Sequence, residues 1–225
     1  MKKHLTIMLL CAALLCCGAS SCSKEKPKPA TVEKEAKEPV RTRPHCHLLI
    51  QPYGNFSQTR AEEVAENLEK SLLQYAKELE VIEIDVLPNQ PLTEDLMNKA
   101  KTRYRANKIL DRQSSSLHNP DEAIIGLTDS DISTSAHGYE DWGILGLSYM
   151  NSGNCVISTF RVKDRTQLWK VVLHEFGHSF LKLRHCPNND PTCFMVDANG
   201  KPDLAKEHRF CPTCSKLIPQ ATARQ

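Results

Sequence analysis

Two histidines and a glutamate stand at a spacing that suits metal chemistry. The sequence His174-Glu175-Phe176-Gly177-His178 places the histidines four residues apart. On a helix both imidazoles then lie on one face and can bind one metal ion. Zinc held by three protein ligands lowers the pKa of a bound water to about 7, and the adjacent Glu175 can accept that proton. The pattern predicts a zinc-dependent hydrolytic site, and the alternative is a chance match on a surface helix.

A third histidine and four cysteines follow the motif closely. His185 is directly followed by Cys186, and Cys193, Cys211 and Cys214 come further downstream. Four cysteines so spaced match a structural zinc site, with the C-x-x-C pair as its clearest half. Two disulfides are the alternative, because an exported chain meets oxidising conditions. We expect zinc, because the cysteines of a C-x-x-C pair rarely bridge each other in structural roles.

Together these residues resemble the signature of the archaemetzincin family. The resemblance rests on the histidine motif, His185-Cys186, Cys193-Phe194-Met195 and Cys211-Pro212-Thr213-Cys214. That family is similar to metzincin zinc peptidases in its active-site helix and methionine turn, and it adds a second zinc held by four cysteines. The resemblance therefore implies two zinc ions per chain. It assigns the catalytic zinc to His174, His178 and His185, the general base to Glu175, the methionine turn to Met195, and the structural zinc to Cys186, Cys193, Cys211 and Cys214.

The third histidine departs from the metzincin pattern. That pattern has glycine three residues after the second histidine and the third histidine three residues beyond it. Here Leu181 and Arg184 occupy those two positions, and His185 comes one residue late. Arginine cannot bind zinc because its guanidinium stays protonated. We expect His185 to be the ligand, with the left-handed turn moved to Lys182 or Leu183. The alternative ligands are His208, Glu207, Asp203, His118 and His137.

The N-terminal residues are typical of an exported lipoprotein. After a short basic start, an apolar run from Leu5 to about Cys17 fits the core of a secretory signal. Gly18-Ala19-Ser20-Ser21-Cys22 resembles a bacterial lipoprotein cleavage site, and ordinary signal cleavage nearby is the alternative. A lipid on Cys22 would anchor the chain to a membrane of the cell envelope. The expected organisation is a signal peptide over 1–22, a disordered linker rich in Lys, Glu, Pro and Ala over 23–44, and a metallopeptidase domain over 45–225.

The elements that must position the motif follow an α/β order. Apolar runs separated by amphipathic stretches predict an α/β domain with a twisted, mostly parallel sheet, packed helices and a small C-terminal zinc-bound subdomain. A capping box at Thr59-x-x-Glu62 predicts the start of the first helix, and Asp164 can cap the helix that carries the zinc motif. The predicted strands are 47–50, 81–87, 123–128, 142–149 and 155–162, and the predicted helices are 59–79, 92–116 and the motif helix.

Three smaller groups have alternative interpretations. Cys46 and Cys155 could form one disulfide, although buried thiols are equally expected. His47 alternates with Cys46 at a strand start, where a hydrogen-bonded or solvent-facing imidazole is favoured over a metal ligand. Asp129 and Asp131 could bind a cation, but a turn with self-bonded side chains is favoured.

Charge and motif together favour a zinc-dependent peptidase. The net charge of +2 is small and mixed in sign, so it does not indicate a nucleic-acid partner or a DNA-binding zinc ribbon. We expect a monomer that acts on a peptide or protein, held by an edge strand within 142–149. The alternative is a catalytically weak or inactive zinc scaffold that displays a binding surface.

Overall fold

The computed structural model describes residues 45–77, 79–198 and 201–218. The predicted signal peptide, Cys22 and the linker over 23–44 lie outside the described residues. Within the described ranges, no helix is both long and apolar enough to cross a membrane.

A five-stranded sheet forms the centre of the domain. Strands β1 (His45–Tyr53), β2 (Glu80–Val86), β4 (Glu122–Thr128) and β8 (Asn154–Ser158) pair in parallel in the order β2-β1-β4-β8. The short strand β7 (Gly146–Ser148) completes the sheet next to β8 and runs antiparallel to it. The prediction of an α/β domain with a mostly parallel sheet is confirmed.

Two helices cover one face of this sheet. The helices are α1 (Gln58–Tyr75) and α3 (Leu168–Ser179). The apolar side chains of both helices pack on the sheet, because every strand of a parallel sheet needs cover on both faces. Buried members of this core are Leu48, Ile50, Leu68, Leu72, Ile125, Leu127, Ile157, Val172 and Phe176.

A second, smaller layer covers the opposite face. It contains α2 (Ala106–Ser114) and a three-stranded sheet of β3 (Tyr104–Arg105), β5 (Ile132–Ala136) and β6 (Tyr139–Ile144). The buried residues of this layer include Tyr53, Ile109, Leu110, Ile132 and Val156. Because Val156 lies in β8 between Cys155 and Ile157 of the first core, that strand is buried on both faces.

Two predicted elements are wrong, and side-chain hydrogen bonds explain both. The first helix begins at Gln58 because the Ser57 hydroxyl accepts the backbone N–H of Arg60, so the cap is Ser57 and not Thr59. The helix predicted over 92–116 is a 3-10 turn at Glu94–Leu96, a loop, β3 and α2. In that loop, the Asn98 side chain accepts the backbone N–H of Thr102 and donates to Asp141 of β6.

The strand predicted over 142–149 is divided between two sheets. Its first part ends β6 at Ile144 and belongs to the three-stranded sheet, whereas β7 belongs to the five-stranded sheet. Leu145 lies between the two strands, and its carbonyl accepts the backbone N–H of Ser158. The chain therefore passes from one sheet to the other beside the helix that carries the histidine motif.

Candidate metal centres and catalytic cleft

The N-terminal cap of helix α3 and the buried apolar face of the helix fix its position. The Asp164 carboxylate accepts the backbone N–H of Thr166 and opens a 3-10 turn at Arg165–Gln167 that leads into the helix. Val172, Leu173 and Phe176 are completely buried against the sheet. Because these positions fix the rotation of the helix, His174, Glu175 and His178 face away from the sheet core and remain half-buried.

Both motif histidines have one ring nitrogen fixed by a backbone carbonyl. His174 Nδ1 lies 2.7 Å from the carbonyl oxygen of Phe194, and His178 Nδ1 lies 2.6 Å from that of Leu183. A carbonyl only accepts, so each Nδ1 carries a proton and donates it. The Nε2 atom of each neutral ring then keeps its lone pair, which is the arrangement that a metal-binding histidine requires.

The two free Nε2 atoms lie close to one another. His174 Nε2 and His178 Nε2 lie 3.1 Å apart. Two lone pairs at this distance repel unless they share a proton or a metal ion. Two nitrogen ligands on one tetrahedral zinc would be separated by roughly 3.3 Å at ordinary zinc–nitrogen lengths. The pair therefore fits zinc.

His185 completes a group of three imidazoles. The ring of His185 lies 4.8 Å from that of His178 and 5.5 Å from that of His174, between centroids. One nitrogen of each ring lies within 4.8 Å of the others. His185 Nδ1 is 3.4 Å from the Asp197 carboxylate, so this ring also faces an acceptor with its outer nitrogen. Sequence reasoning missed this contact.

The late position of His185 is accommodated by a left-handed residue. Helix α3 ends at Ser179, and the positive φ falls on Lys182 (φ 56°), one of the two predicted positions, and not on Leu181. Leu181 and Leu183 are both buried. The reversal at Lys182 brings the carbonyl of Leu183 back to His178 and directs the following residues toward the imidazoles.

Glu175 is held by the antiparallel edge strand. The Ser148 hydroxyl of β7 donates to Glu175 Oε2 over 2.6 Å. A Cβ atom on Gly146 would lie 2.9 Å from Glu175 Oε1, so only glycine leaves room for the carboxylate there. Burial raises the pKa of Glu175, and the Ser148 hydrogen bond opposes this shift. Neither Ser148 nor Gly146 was identified from the sequence, because a contact between strand and helix leaves no local pattern.

Met195 lies directly beneath the motif helix. It is completely buried, and a Cβ atom on Gly177 would lie 2.5 Å from its sulfur. Glycine between Glu175 and His178 therefore lets the methionine approach the helix backbone. The position agrees with a hydrophobic support under the imidazoles, as the resemblance implies for Met195.

Burial also affects the charge of the two motif histidines. The pKa of His174 is lowered to about 4, mainly by burial and further by nearby His185. The pKa of His178 is lowered to about 4, mainly by burial and further by His174. Both rings are therefore neutral at physiological pH, which leaves them ready to bind a metal ion.

The four downstream cysteines form a second group. Their sulfur atoms lie within 4.8 Å of one another, and none of the four residues is more than 6% exposed. Cys186 Sγ and Cys211 Sγ are 3.6 Å apart, and none of the described cysteines forms a disulfide. Four buried sulfurs gathered without disulfides fit a closed structural zinc site. The disulfide alternatives, including that for Cys46 and Cys155, are not what the structure contains.

Burial and hydrogen bonds shift the pKa values of the clustered thiols in opposite directions. Burial acts to raise the pKa of the Cys211 thiol, but hydrogen bonds from the Cys214 backbone and from Cys186 outweigh it and lower the pKa below its usual value. Burial raises the pKa of Cys193 to about 11 in the absence of metal. A divalent cation would offset the cost of ionising such buried thiols.

A cleft of about 1290 Å³ opens in front of the histidines. One wall is the crossing from β6 to β7, from Trp142 to Gly146, and the opposite wall is the segment after Met195 together with 201–207. His174, Glu175 and His185 lie between the walls.

The alternative groups do not join the histidine cluster. Within the described residues, none of His208, Asp203, Glu207, His118 and His137 lies within ligand distance of the three imidazoles. His47 is hydrogen-bonded to Asp85 at 3.0 Å, with Glu83 nearby, as expected for a strand histidine. Asp129 and Asp131 bind Arg60, Arg103 and Arg161, so their partners are arginines rather than their own backbone.

Sequence comparisons identify archaemetzincins as relatives. No family model matches the chain. It is similar to the archaemetzincin of Haloquadratum walsbyi, with 26% identity over 157 residues, 60% of this chain and 83% of that protein. It is also similar to the archaemetzincin of Nanoarchaeum equitans, with 28% identity over 165 residues, 73% of this chain and 85% of that protein.

Solved structures lead to the same family. The chain resembles the archaemetzincin of Methanopyrus kandleri, with a TM-score of 0.62, 22% identity, and coverage of 81% of this chain and 97% of that one. It also resembles that of Archaeoglobus fulgidus, complexed with malonate, with a TM-score of 0.57, 27% identity, and coverage of 76% and 99%. A zinc-dependent peptidase of Methanocorpusculum labreanum shares the fold, with a TM-score of 0.59, 17% identity, and coverage of 76% and 99%. The chain is therefore similar to archaemetzincins in sequence, in fold and in its site residues, and these similarities support a zinc metallopeptidase of the archaemetzincin family.

Proposed function

We propose that this chain hydrolyses peptide bonds, with zinc bound by His174, His178 and His185 and with Glu175 as the general base. The observation that carries the proposal is the pairing of neutral, Nδ1-protonated imidazoles with a held carboxylate at the floor of an open cleft. When bound there, zinc would polarise the substrate carbonyl and make water more acidic. The remaining chemistry belongs to the side chains of the chain itself.

Glu175 carries the proton through the reaction. Its carboxylate accepts a proton from the attacking water, whose oxygen forms the new bond to the peptide carbon. The same group then gives that proton to the leaving nitrogen as the C–N bond breaks, so that Glu175 returns to its starting state. Burial raises the pKa of Glu175, which makes its carboxylate a stronger base than that of an exposed glutamate. Ser148 fixes one carboxylate oxygen and thereby the direction of the other.

The edge strand offers a binding surface for the substrate backbone. Strand β7 is the last strand of the five-stranded sheet and lies at the cleft with the residues that precede it. An extended peptide can add to such an edge through main-chain hydrogen bonds, which form whatever the side chains of the peptide are. This supports a peptide rather than a small molecule as the substrate class.

We also propose a second zinc on Cys186, Cys193, Cys211 and Cys214, which gives two zinc ions per chain. The site is closed to solvent and lies in a C-terminal segment in which the described residues form one short helix, α4 (Pro212–Ser215). A metal that binds only the folded state stabilises it directly, and this segment contains little other regular structure. Metal analysis of the purified zinc-loaded chain should give two zinc ions, and one would remove this part of the proposal.

We further propose that the chain is exported and held at a membrane through a lipid on Cys22. The support is the N-terminal sequence alone, with its apolar run, small residues and cysteine. Mass spectrometry of the mature N-terminus should find Cys22 acylated, and Cys22→Ala should release the protein from membranes. An unmodified N-terminus beyond Cys22 would refute the lipid anchor.

Hydrolysis of a mixed peptide library tests the activity. The zinc-loaded chain should produce new peptide termini, and a chelator should stop their appearance until zinc is restored. Zinc binding at the histidine site without cleavage of any peptide would instead support the inactive scaffold.

The identity of the third ligand has its own test. Zinc titration and X-ray absorption should show weaker binding and one fewer nitrogen ligand in His185→Ala. His208→Ala is a matched control, because His208 is exposed and bonded to the Lys206 carbonyl. Unchanged affinity and coordination in His185→Ala would mean that another residue completes the site.

A further inference from the structure

One cleft wall is attached to the motif helix by a lysine. The Lys170 ammonium donates to the carbonyl of Leu204 over 2.6 Å and to the side-chain oxygen of Gln167 over 3.4 Å. Lys170 is itself only 9% exposed. The segment that contains Leu204 and Glu207 is thereby held against the first turns of α3, and both of these residues line the cleft.

Glu207 differs from the other acidic side chains of this cleft. It is 4% exposed, and within the described residues its carboxylate has no hydrogen bond and no ion pair within 4 Å. The other cleft carboxylates each have a partner. Those pairs are Asp141 with Asn98 and Arg103, Asp164 with Thr166 and Gln167, Glu175 with Ser148, Asp197 with His185, and Asp203 with Lys206.

Among the residues that the structure describes, the charge of Glu207 is poorly compensated. Burial raises its pKa to about 7, although the Lys170 ammonium acts in the opposite direction and Asp203 adds to the rise. The Lys170 protons are directed at two neutral oxygens, so this ammonium does not pair with the carboxylate. A buried carboxylate in this situation gains most from a cation brought by a ligand.

Glu207 lies near the histidine cluster, where the peptide bond would be cleaved. Gln167, Val171 and His174 line the cleft and stand four and three residues apart on α3, so they form one stripe along the helix. The subsite formed by Gln167, Val171, Leu204 and Glu207 therefore begins about one helical turn, roughly 5 Å, from His174. Its walls are apolar at Val171 and Leu204, which suits the methylene stem of a long side chain.

We propose that Glu207 is a specificity-determining residue, and that this subsite accepts the lysine or arginine side chain of a substrate residue next to the scissile bond. The proposal rests on the peptidase function proposed above and names its substrate class. The stem of the basic residue would lie along Val171 and Leu204, and its charged end would meet the Glu207 carboxylate.

Peptide binding to a catalytically disabled chain tests this subsite. The probe is a set of labelled, end-blocked hexapeptides in which lysine or norleucine occupies each position in turn, measured with full-length, zinc-loaded Glu175→Gln. At one position the lysine peptide should bind about tenfold or more tightly than its norleucine partner, as expected for a desolvated charge pair. Adding Glu207→Gln should reduce that ratio to about one, and Glu207→Lys should instead favour a glutamate peptide.

The control variant and the contradicting results are judged by the same quantity, the ratio of lysine-peptide affinity to norleucine-peptide affinity. Asp203→Asn removes one charge from the same segment, but Asp203 is exposed and paired with Lys206 at 2.8 Å, so the lysine preference should persist. Equal binding of lysine and norleucine peptides at every position by the chain with Glu207 intact would overturn the proposal, whatever the folding of the variants. A lysine preference that survives in a zinc-loaded, folded Glu207→Gln would overturn it as well.

Hydrolysis separates this inference from the proposed function. If the unsubstituted chain cleaves peptides without preference for a basic residue, the function stands and the Glu207 subsite is refuted. If no peptide is cleaved but the lysine preference in binding depends on Glu207, the subsite stands and the peptidase function is refuted.

Discussion

The histidine cluster and the cysteine cluster both gather their ligand atoms within 4.8 Å of one another but differ in access. The His185 side chain is 49% exposed and opens on the cleft, whereas no cysteine of the other group exceeds 6% exposure. The histidine cluster has three nitrogen ligands and one side open to the cleft. The cysteine cluster has four sulfur ligands and no open side. The same chain thus separates a site for chemistry from a site for stability.

The difference extends to the groups around each cluster. The imidazoles are fixed by carbonyls and a carboxylate, which orient the rings and leave Nε2 available. The sulfurs instead receive backbone N–H groups, such as that of Cys214 on Cys211, which lowers the pKa of that thiol and favours the thiolate. Substitutions in the two regions should therefore have separable effects.

The largest effect is expected from Glu175→Gln. Glutamine keeps the size and polarity of the side chain but cannot accept a proton, so kcat/KM for a cleaved peptide should fall by about 10²–10⁴-fold. Zinc content and unfolding temperature should stay unchanged, because the substitution alters the open site without removing a ligand. Retained hydrolysis would exclude Glu175 as the base.

A large loss of stability is expected from Cys214→Ser. This variant should lose one zinc ion per chain and on the order of 3–5 kcal/mol of unfolding free energy, because a closed metal site contributes directly to folding. Denaturant unfolding and metal analysis measure both quantities, and His174→Ala should lose the other zinc with a smaller loss of stability. Cys155→Ala is the control, since this buried cysteine lies outside the cluster and should keep both ions. Equal destabilisation by Cys214→Ser and His174→Ala would end the distinction between the two regions.

The metal-free chain should lose stability as the pH falls from about 6.5 to 4. The pKa values of His174 and His178 are lowered to about 4 in the folded chain and return to about 6.5 on unfolding. In this window the unfolded state binds more protons, so the contribution is present above pH 6.5 and is lost toward pH 4. Denaturant unfolding across this range should show a loss on the order of 3 kcal/mol from these groups.

Substitution and zinc provide the controls for that pH dependence. The variant with both histidines changed to alanine should have a flatter profile, and the difference between profiles removes the contribution of carboxyl groups. Zinc loading should also make the unfolding free energy less dependent on pH, down to the pH at which protons displace the metal. Identical profiles for the parent and the double variant would contradict the expected histidine contribution.

A smaller effect is expected at Asp197. Asp197→Asn weakens the acceptor that faces His185 Nδ1, so zinc affinity at the histidine cluster should fall by about 10–100-fold, the usual value of such an outer partner. Competition with a chelator measures this affinity. Asp190→Asn is the matched control, because Asp190 binds Thr192 and Arg209 and, in the part of the chain that the structure describes, contacts no imidazole. An equal loss in both variants would show that the effect is not specific to His185.

The smallest effect is expected at Lys182. Glycine accepts its φ of 56° without strain, whereas alanine does not, so Lys182→Gly should be about 1 kcal/mol more stable than Lys182→Ala. Both substitutions remove the same side chain, and the difference in unfolding free energy isolates the backbone. A value near zero would mean that the late third histidine is accommodated without local strain.

The parts of the site that the sequence predicts are those with local patterns. His174, Glu175 and His178 follow a helical spacing, and Cys211 and Cys214 lie on one turn. The mostly parallel sheet follows from apolar runs separated by amphipathic stretches. A left-handed turn at Lys182 or Leu183 is expected because one extra residue precedes His185, and the structure has it at Lys182. These features depend on neighbours in the sequence.

The parts that were not predicted depend on contacts between distant segments. Ser148 reaches Glu175 only because β7 pairs antiparallel with β8 beside the helix. The false helix over 92–116 had suitable periodicity, but Asn98 bonds to Asp141 of a strand far along the chain. Glu207 was considered only as an alternative zinc ligand, because its burial is visible only in the folded chain. Asp197 was missed although it lies only two residues after Met195, because its contact with His185 forms only in the folded chain.

The consecutive positions of His185 and Cys186 have a consequence for the order of assembly. A single peptide bond joins a ligand of one cluster to a ligand of the other, and the Cys186 backbone N–H also donates to the Met195 carbonyl over 2.6 Å. Under the proposed two-zinc arrangement, metal bound to the cysteine sulfurs immobilises the chain segment that contains the third imidazole. The first ion then lowers the entropy cost of binding the second, and thermodynamic reciprocity requires the second to tighten the first by the same factor. Loading should therefore be cooperative and hierarchical, so that a chain without its sulfur-bound zinc is poorly prepared to acquire the catalytic one.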